Sequence, residues 1–258
     1  MRTWVAIIAV LIVLLLLNAC AVMDINSMET AVPLKPGKVE LSVYNGHGLD
    51  ISSAVVIDES SNSSFASHDT NKDAYTSLLS GVKANIGILP KLEFSGRAYY
   101  SGLGNGITLL EYSNTQTTKG YKAGLKFLCK SNKFLYLSLL PSVNIVNGKS
   151  HERSYQQPDI YGSYDSYGLE LQVLGSFAPI KQITFSGVCK FNRDYYSEVY
   201  NGVSYGTYAI NHMGIRANLK LLLWVPFIIV DFGNEFVPVI NGNNSTLTSV
   251  AIGGGLRI

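Results

Sequence analysis

The stretch Ser166–Asn192, SYGLELQVLGSFAPIKQITFSGVCKFN, decides the fold. Going in, Tyr167, Leu169, Leu171, Val173, Gly175 and Phe177 fall on one face, with Glu170, Gln172 and Ser176 on the other. Coming out, Ile183, Phe185, Gly187, Cys189 and Phe191 alternate with Gln182, Thr184, Ser186, Lys190 and Asn192. A period of two means strands, and the break Ala178-Pro179-Ile180-Lys181 joins them as a hairpin. Each run alternates for about ten residues, the length at which a tilted strand crosses a bilayer.

The same unit recurs along the chain. Apolar positions alternate with polar ones from Val39, Val82, Leu92, Tyr121, Leu135, Met213, Ile228 and Val250 onward, and with the opening pair this makes ten strands. Tight turns near residues 90, 131, 179 and 225 alternate with longer polar stretches at 59–73, 101–118, 147–165, 194–206 and 241–245. Short turns at one end, long loops at the other and an even strand count predict an all-β, ten-stranded antiparallel up-and-down transmembrane β-barrel over 38–258.

Charge decides which face meets lipid. Glu40, Lys83, Glu93, Arg97, Lys122, Lys126, Glu170, Lys190, His212, Arg216, Asp231, Glu235 and Arg257 all share parity with the polar face. A Lys or Arg facing mid-bilayer lipid costs about 2–4 kcal/mol, so these residues are expected to line the lumen. Seven of them are basic and five acidic, His212 aside. Near balance in so narrow a barrel predicts a salt-bridged, charge-plugged lumen, with a narrow small-solute pore as the alternative. The function expected is structural, or one of interaction through the loops. No catalytic residue is assigned: His212 has no evident acid or nucleophile beside it in the sequence.

The N-terminus is organised differently. Met1-Arg2-Thr3-Trp4 precedes the apolar run Val5–Leu17, a secretory signal too short to span a membrane as a helix. Leu17-Asn18-Ala19-Cys20 resembles the lipobox of bacterial lipoproteins. That resemblance implies cleavage after Ala19, acyl chains on Cys20 and a cleaved signal peptide over 1–19. The aperiodic Val22–Gly37, with Pro33 and Pro36, reads as a strap, so 20–37 is expected to be a periplasmic tether. The last strand resembles the C-terminal signal of bacterial outer-membrane β-barrels, with Ile258 where an aromatic residue usually stands. Together these resemblances imply a lipid-anchored protein of the bacterial outer membrane, whose partners are membrane lipid and its own acyl chains.

Composition narrows the rest. Charged residues are 15% and net charge is +2 with no basic patch, which argues against nucleic acid. Cys129 and Cys189 form no metal spacing and fall among the outward apolar positions, so they are expected to be small free hydrophobes. His47, His68 and His151 fit no metal motif, and no cofactor is expected. The Gly-rich Ser101–Gly106 lacks the Lys-Ser/Thr pair of a phosphate cradle. The chain is similar to omptin proteases in its ten strands and in having a His and acids at the outer rim. That resemblance implies a rim hydrolase drawing on His151, Asp159, Asp165 and Asp194, but no omptin motif is present and no roles are carried over.

Overall fold

The computed structural model describes residues 22–50, 76–104, 112–154, 157–238 and 244–258. A short strand β1 (Val22–Asp24) is followed by ten long ones: β2 (Val39–Asp50), β3 (Thr76–Leu89), β4 (Leu92–Gly104), β5 (Tyr112–Ser131) and β6 (Leu135–Ser154), then β7 (Gln157–Ile180), β8 (Ile183–Tyr200), β9 (Val203–Leu222), β10 (Pro226–Pro238) and β11 (Asn244–Arg257). From β2 to β11 each strand pairs antiparallel with the next, and β11 pairs back onto β2. The result is a closed, up-and-down barrel of ten staves. At its base the backbones of Val39 and Ile258 exchange hydrogen bonds of 3.0 and 2.8 Å.

The alternation read from the sequence sets the two faces. Leu41, Val82, Leu125, Val143, Leu169, Phe185, Ile215, Phe232 and Ile252 point outward and are exposed, while the intervening polar residues are buried inside. Leu169 is 63% exposed, and it sits in a continuous apolar belt. On β7 the belt runs from Phe177 to Tyr167, about 34 Å along the strand or roughly 25 Å of height at the usual tilt. A row of cross-strand partners, Tyr121, Ile145, Tyr167 and Tyr195, marks its upper edge, with the Tyr167 and Tyr195 rings stacked at 5.1 Å. Trp224, 90% exposed, marks the lower edge at a tight turn. Cys129 and Cys189 are free and exposed on the belt side.

Three stretches expected as loops are strands over their described residues, with 105–111 and 155–156 outside them. Asn147–Asp165 is a paired ribbon from Asn147↔Asp165 up to Ser154↔Gln157, and Ser101 pairs onward with Thr118 as far as Gly104↔Thr115. Asp194–Gly206 is a hairpin whose turn is Asn201-Gly202, both at positive φ (46° and 80°), as a two-residue turn matching strand twist requires. The physical reason is common to all three. Above the belt neither face is in lipid, so the apolar alternation stops while backbone pairing continues. Ile51–Ile57 and the 59–73 loop lie outside the described residues.

The strap is also corrected. Residues 22–37 do not hang outside the barrel as a tether: Asp24–Ala31 and Leu34 are buried within it. Cys20 lies outside the described residues.

Inside the upper half, large tyrosines are seated on glycines of the neighbouring stave. Tyr44 lies over Gly81, Tyr99 over Gly120 and Tyr164 over Gly148, each pair directly opposite in register. A methyl group at any of these glycines would fall within the ring. Gly120→Val is therefore expected to lower stability by about 1–3 kcal/mol through overpacking. A reduced urea midpoint in detergent or vesicles is the measurement; an unchanged midpoint would show that the ring swings free.

Candidate functional site

The lumen is where the chemistry-bearing side chains converge, and residues 22–37 run through its length. β1 pairs with the upper end of β2 (Val22↔Asp50, Asp24↔Gly48), and the chain then descends antiparallel to β2. Asp24 bends it locally by accepting from the Asn26 backbone N–H at 2.9 Å, and Met28 takes a positive φ of 50°. At the base Gly37, at φ 77°, donates to the Gly87 carbonyl at 2.8 Å, and the chain turns up into β2.

Successive parts of this segment meet different staves. Tyr44 donates to Asp24 at 2.7 Å, and Lys190 Nζ donates to the Ile25 carbonyl at 2.6 Å. Arg97 donates to the carbonyls of Asn26 and Ser27, and Ser27 Oγ lies 2.9 Å from Gln172. Glu29 is the hub: Lys83 is 2.8 Å away, Arg97 and Lys126 each 3.4 Å, and Ser95 donates at 2.7 Å. Lower down, Ser138 donates to the Ala31 carbonyl while the Ala31 N–H donates to Ser176, both at 2.7 Å. The Leu34 N–H donates to Glu93 at 2.7 Å.

The wall charges pair around this thread. Lys126 meets Glu93 at 2.5 Å, Lys122 meets Glu170 at 2.8 Å and Lys190 meets Glu235 at 3.0 Å. Arg216 donates through Nε and Nη2 to Asp231, both at 2.7 Å. Glu40 holds Lys220 at 2.6 Å and Arg257 at the lower mouth. His212 sits between Asp194, 3.0 Å from Nε2, and Glu235 on Nδ1. Of these groups all but the half-buried Arg257 are buried.

Four participants were not singled out for the lumen by the sequence. Lys220 has the parity of Asn218 and Arg216 and was legible. Asp194 follows the parity of Lys190 and Asn192, but the polar stretch it opens predicts a loop. Asp24 and Glu29 carry no periodic signal at all. Among the described residues the wall alone presents eight lumen bases, Lys83, Arg97, Lys122, Lys126, Lys190, Arg216, Lys220 and Arg257, against six carboxylates, Glu40, Glu93, Glu170, Asp194, Asp231 and Glu235. Asp24 and Glu29 bring the carboxylates to eight.

Among the described residues the rim set does not assemble. His151 stacks on Tyr161 at 4.5 Å between ring centres, and Asp165 accepts from Asn147 on the exposed ribbon. Asp194 is buried in the lumen, level with Asn144 through Gly168, seven residues down β6 from His151. That is roughly 23 Å along a strand. The side chain of Asp159 and all of His68 lie outside what is described, and His47 binds the Val250 carbonyl at 3.0 Å. Among the described residues no group of His, Cys, Asp and Glu could hold a metal ion. Between Glu29, Lys83, Lys220 and Phe227 a cavity of about 10 Å³ remains, room for about one water.

No family model matches the chain, and no curated protein matches it. Among solved structures it is similar to the outer membrane protease OmpT from Escherichia coli, at 10% identity over 90% of this chain and 99% of that one, with a TM-score of 0.48. It is similar to the translocator domain of the autotransporter NalP from Neisseria meningitidis at 10% identity, covering 85% and 88%, with a TM-score of 0.45. It is similar to Ail, the attachment invasion locus protein of Yersinia pestis, at 12% identity, covering 86% and 99%, with a TM-score of 0.38. At these values no activity passes from any of them to this chain.

Glu29→Gln removes one charge from a hub facing three buried cations. A loss of about 3–5 kcal/mol is expected, read as a lower urea midpoint. Adding Lys83→Met is expected to recover part of that loss, because one stranded cation leaves with it.

Proposed function

We propose that the chain is an integral outer-membrane β-barrel whose lumen is closed by its own N-terminal segment. Its work is done on the outside, as a wall that presents loops and an extended sheet to a partner or ligand. The observation that carries this reading is the seated Asp24–Leu34 segment with its two carboxylates among the wall's cations. Support for the membrane comes from the apolar belt, its height and its aromatic edges. Support for an external role comes from β6–β7, which extends about ten residues beyond the Tyr167 row as a paired ribbon carrying exposed Tyr161. Lipid attachment at Cys20 belongs to the same proposal and rests on the lipobox resemblance alone.

A narrow pore is the competing role, and conductance separates the two. The full barrel is expected to be silent in planar bilayers. Deletion of Asp24–Ala31 is expected to open a conductance with anion preference, since the wall keeps two more bases than acids. Asp24→Ala with Glu29→Ala, which leaves β1 paired to β2, is expected to lower the urea midpoint while the barrel stays silent. Steady conductance from the intact chain would overturn the closed-wall reading.

The membrane assignment is tested on the belt itself. Leu171→Arg is expected to cost about 2–4 kcal/mol for folding into vesicles, whereas Ser163→Arg, exposed above the belt, is expected to be neutral. A barrel standing in water would tolerate both substitutions equally, because both positions are already exposed.

A further inference from the structure

The direction of the thread fixes which side of the membrane the mature N-terminus occupies. The base of the barrel carries the tight turns and the chain end at Ile258, and the opposite end carries the longer connections 51–75, 105–111 and 239–243 together with the β6–β7 and β8–β9 hairpins, whose ribbons run on beyond the belt. In a barrel embedded in the outer membrane, short turns face the periplasm and long loops face outward. Val22 pairs with Asp50, the last residue of β2 at the loop end, five residues above Asn45, which is cross-strand from Ser80 and so level with Tyr100. Gly37, only fifteen residues later, is bound to Gly87 at the base. The segment between them therefore traverses the whole barrel from outside to inside.

We propose that the mature chain begins on the outer face of the membrane, so that acyl chains on Cys20 enter the outer leaflet and not the periplasmic one. Cys20 precedes Val22 by two residues, and two residues of fully extended chain reach about 7 Å. The periplasmic leaflet lies a full belt, about 25 Å, below the level of that rim. A lipidated Cys20 cannot reach it while the thread is seated. The thread is held by Glu29, Asp24 and the backbone bonds to Lys190, Arg97, Ser138 and Asn218. An acyl anchor at the outer rim pins the thread from one end and β2 pins it from the other. The proposal rests on the membrane reading above and on the lipobox, and it replaces the periplasmic anchor that the sequence implies with a surface one.

Three epitope insertions in the full chain test it on intact and permeabilised cells. One follows Ala21, one lies in the Lys35–Gly37 turn and one in the 239–243 connection. The tags after Ala21 and at 239–243 are expected to bind antibody on intact cells, and the Lys35–Gly37 tag only after permeabilisation. If the 239–243 tag is exposed but the Ala21 tag is not, the thread enters from below and the proposal falls while the barrel reading stands. If the 239–243 tag is itself hidden, the membrane reading falls. The lipid is followed separately, with a protease site placed after Ala21 and a fatty-acid label. Protease added to intact cells is expected to separate the label from the barrel, and retention of the label would overturn the outer-leaflet anchor.

Discussion

Neutralising buried charge in a narrow space is the constraint on which the rest of this structure depends. The staves carry ionic side chains inward because the outward direction is closed to them by an apolar surround. Once inside, each ion has lost most of its water and is tolerable only if paired and hydrogen-bonded. The wall by itself falls two carboxylates short of that condition. Asp24 and Glu29 supply them, together with a row of backbone carbonyls at Ile25, Asn26, Ser27 and Glu29 that accept from Lys190, Arg97 and Asn218. The thread is thus a counter-ion in polypeptide form. Its sequence is polar and irregular because it must answer a different stave at every step.

That irregularity is why the staves were legible in the sequence and the thread was not. A stave has one apolar neighbour, the surround, and one polar neighbour, the lumen, so its residues alternate and its faces can be assigned from Leu169, Glu170, Leu171 and Gln172 alone. Residues 24–34 have neighbours on all sides, and no periodicity survives. Asn147–Asp165 failed for a related reason, since a ribbon standing clear of the belt has no reason to alternate. The hairpin at Asn201-Gly202 did carry its signal, an Asn-Gly pair, but polar residues on both flanks made it read as loop. His212 shows the limit for single residues. Its acids, Asp194 and Glu235, lie on the staves to either side, and only register places them within reach.

The wall nonetheless holds a trace of its occupant in its glycines. A Cβ on Gly46 would come within 2.9 Å of the Asn26 side chain, and one on Gly253 would come 2.5 Å from the Met28 methyl. One on Gly87 would strike the Lys35 carbonyl. These three positions lie on β2, β11 and β3, the staves on either side of the closing seam, where the thread runs closest to the backbone. Gly87 is the clearest of the three, since the nearest atoms to a Cβ there all belong to Leu34 and Lys35 of the thread, whereas Gly46 and Gly253 also face wall atoms, Ala251 Cβ at 2.6 Å and Tyr44 Cβ at 3.0 Å.

The seam itself shows that the thread belongs to the fold and is not a ligand held within it. β11 pairs with β2 over six residues, Glu40–Asn45, whereas β2 pairs with β3 over eleven, Val39–Leu49. Above Asn45 the edge of β2 facing β11 is no longer covered by β11, and β1 takes that edge at Gly48–Asp50. If the segment left, backbone donors and acceptors on β2 would lose partners at the same time as the wall's cations lost Asp24 and Glu29. Each unmade buried hydrogen bond costs about 1–3 kcal/mol. Opening the lumen therefore requires breaking sheet pairing and ion pairing together. A segment tied into both behaves as an eleventh element of the barrel, and that coupling favours a closed wall over a gate that swings.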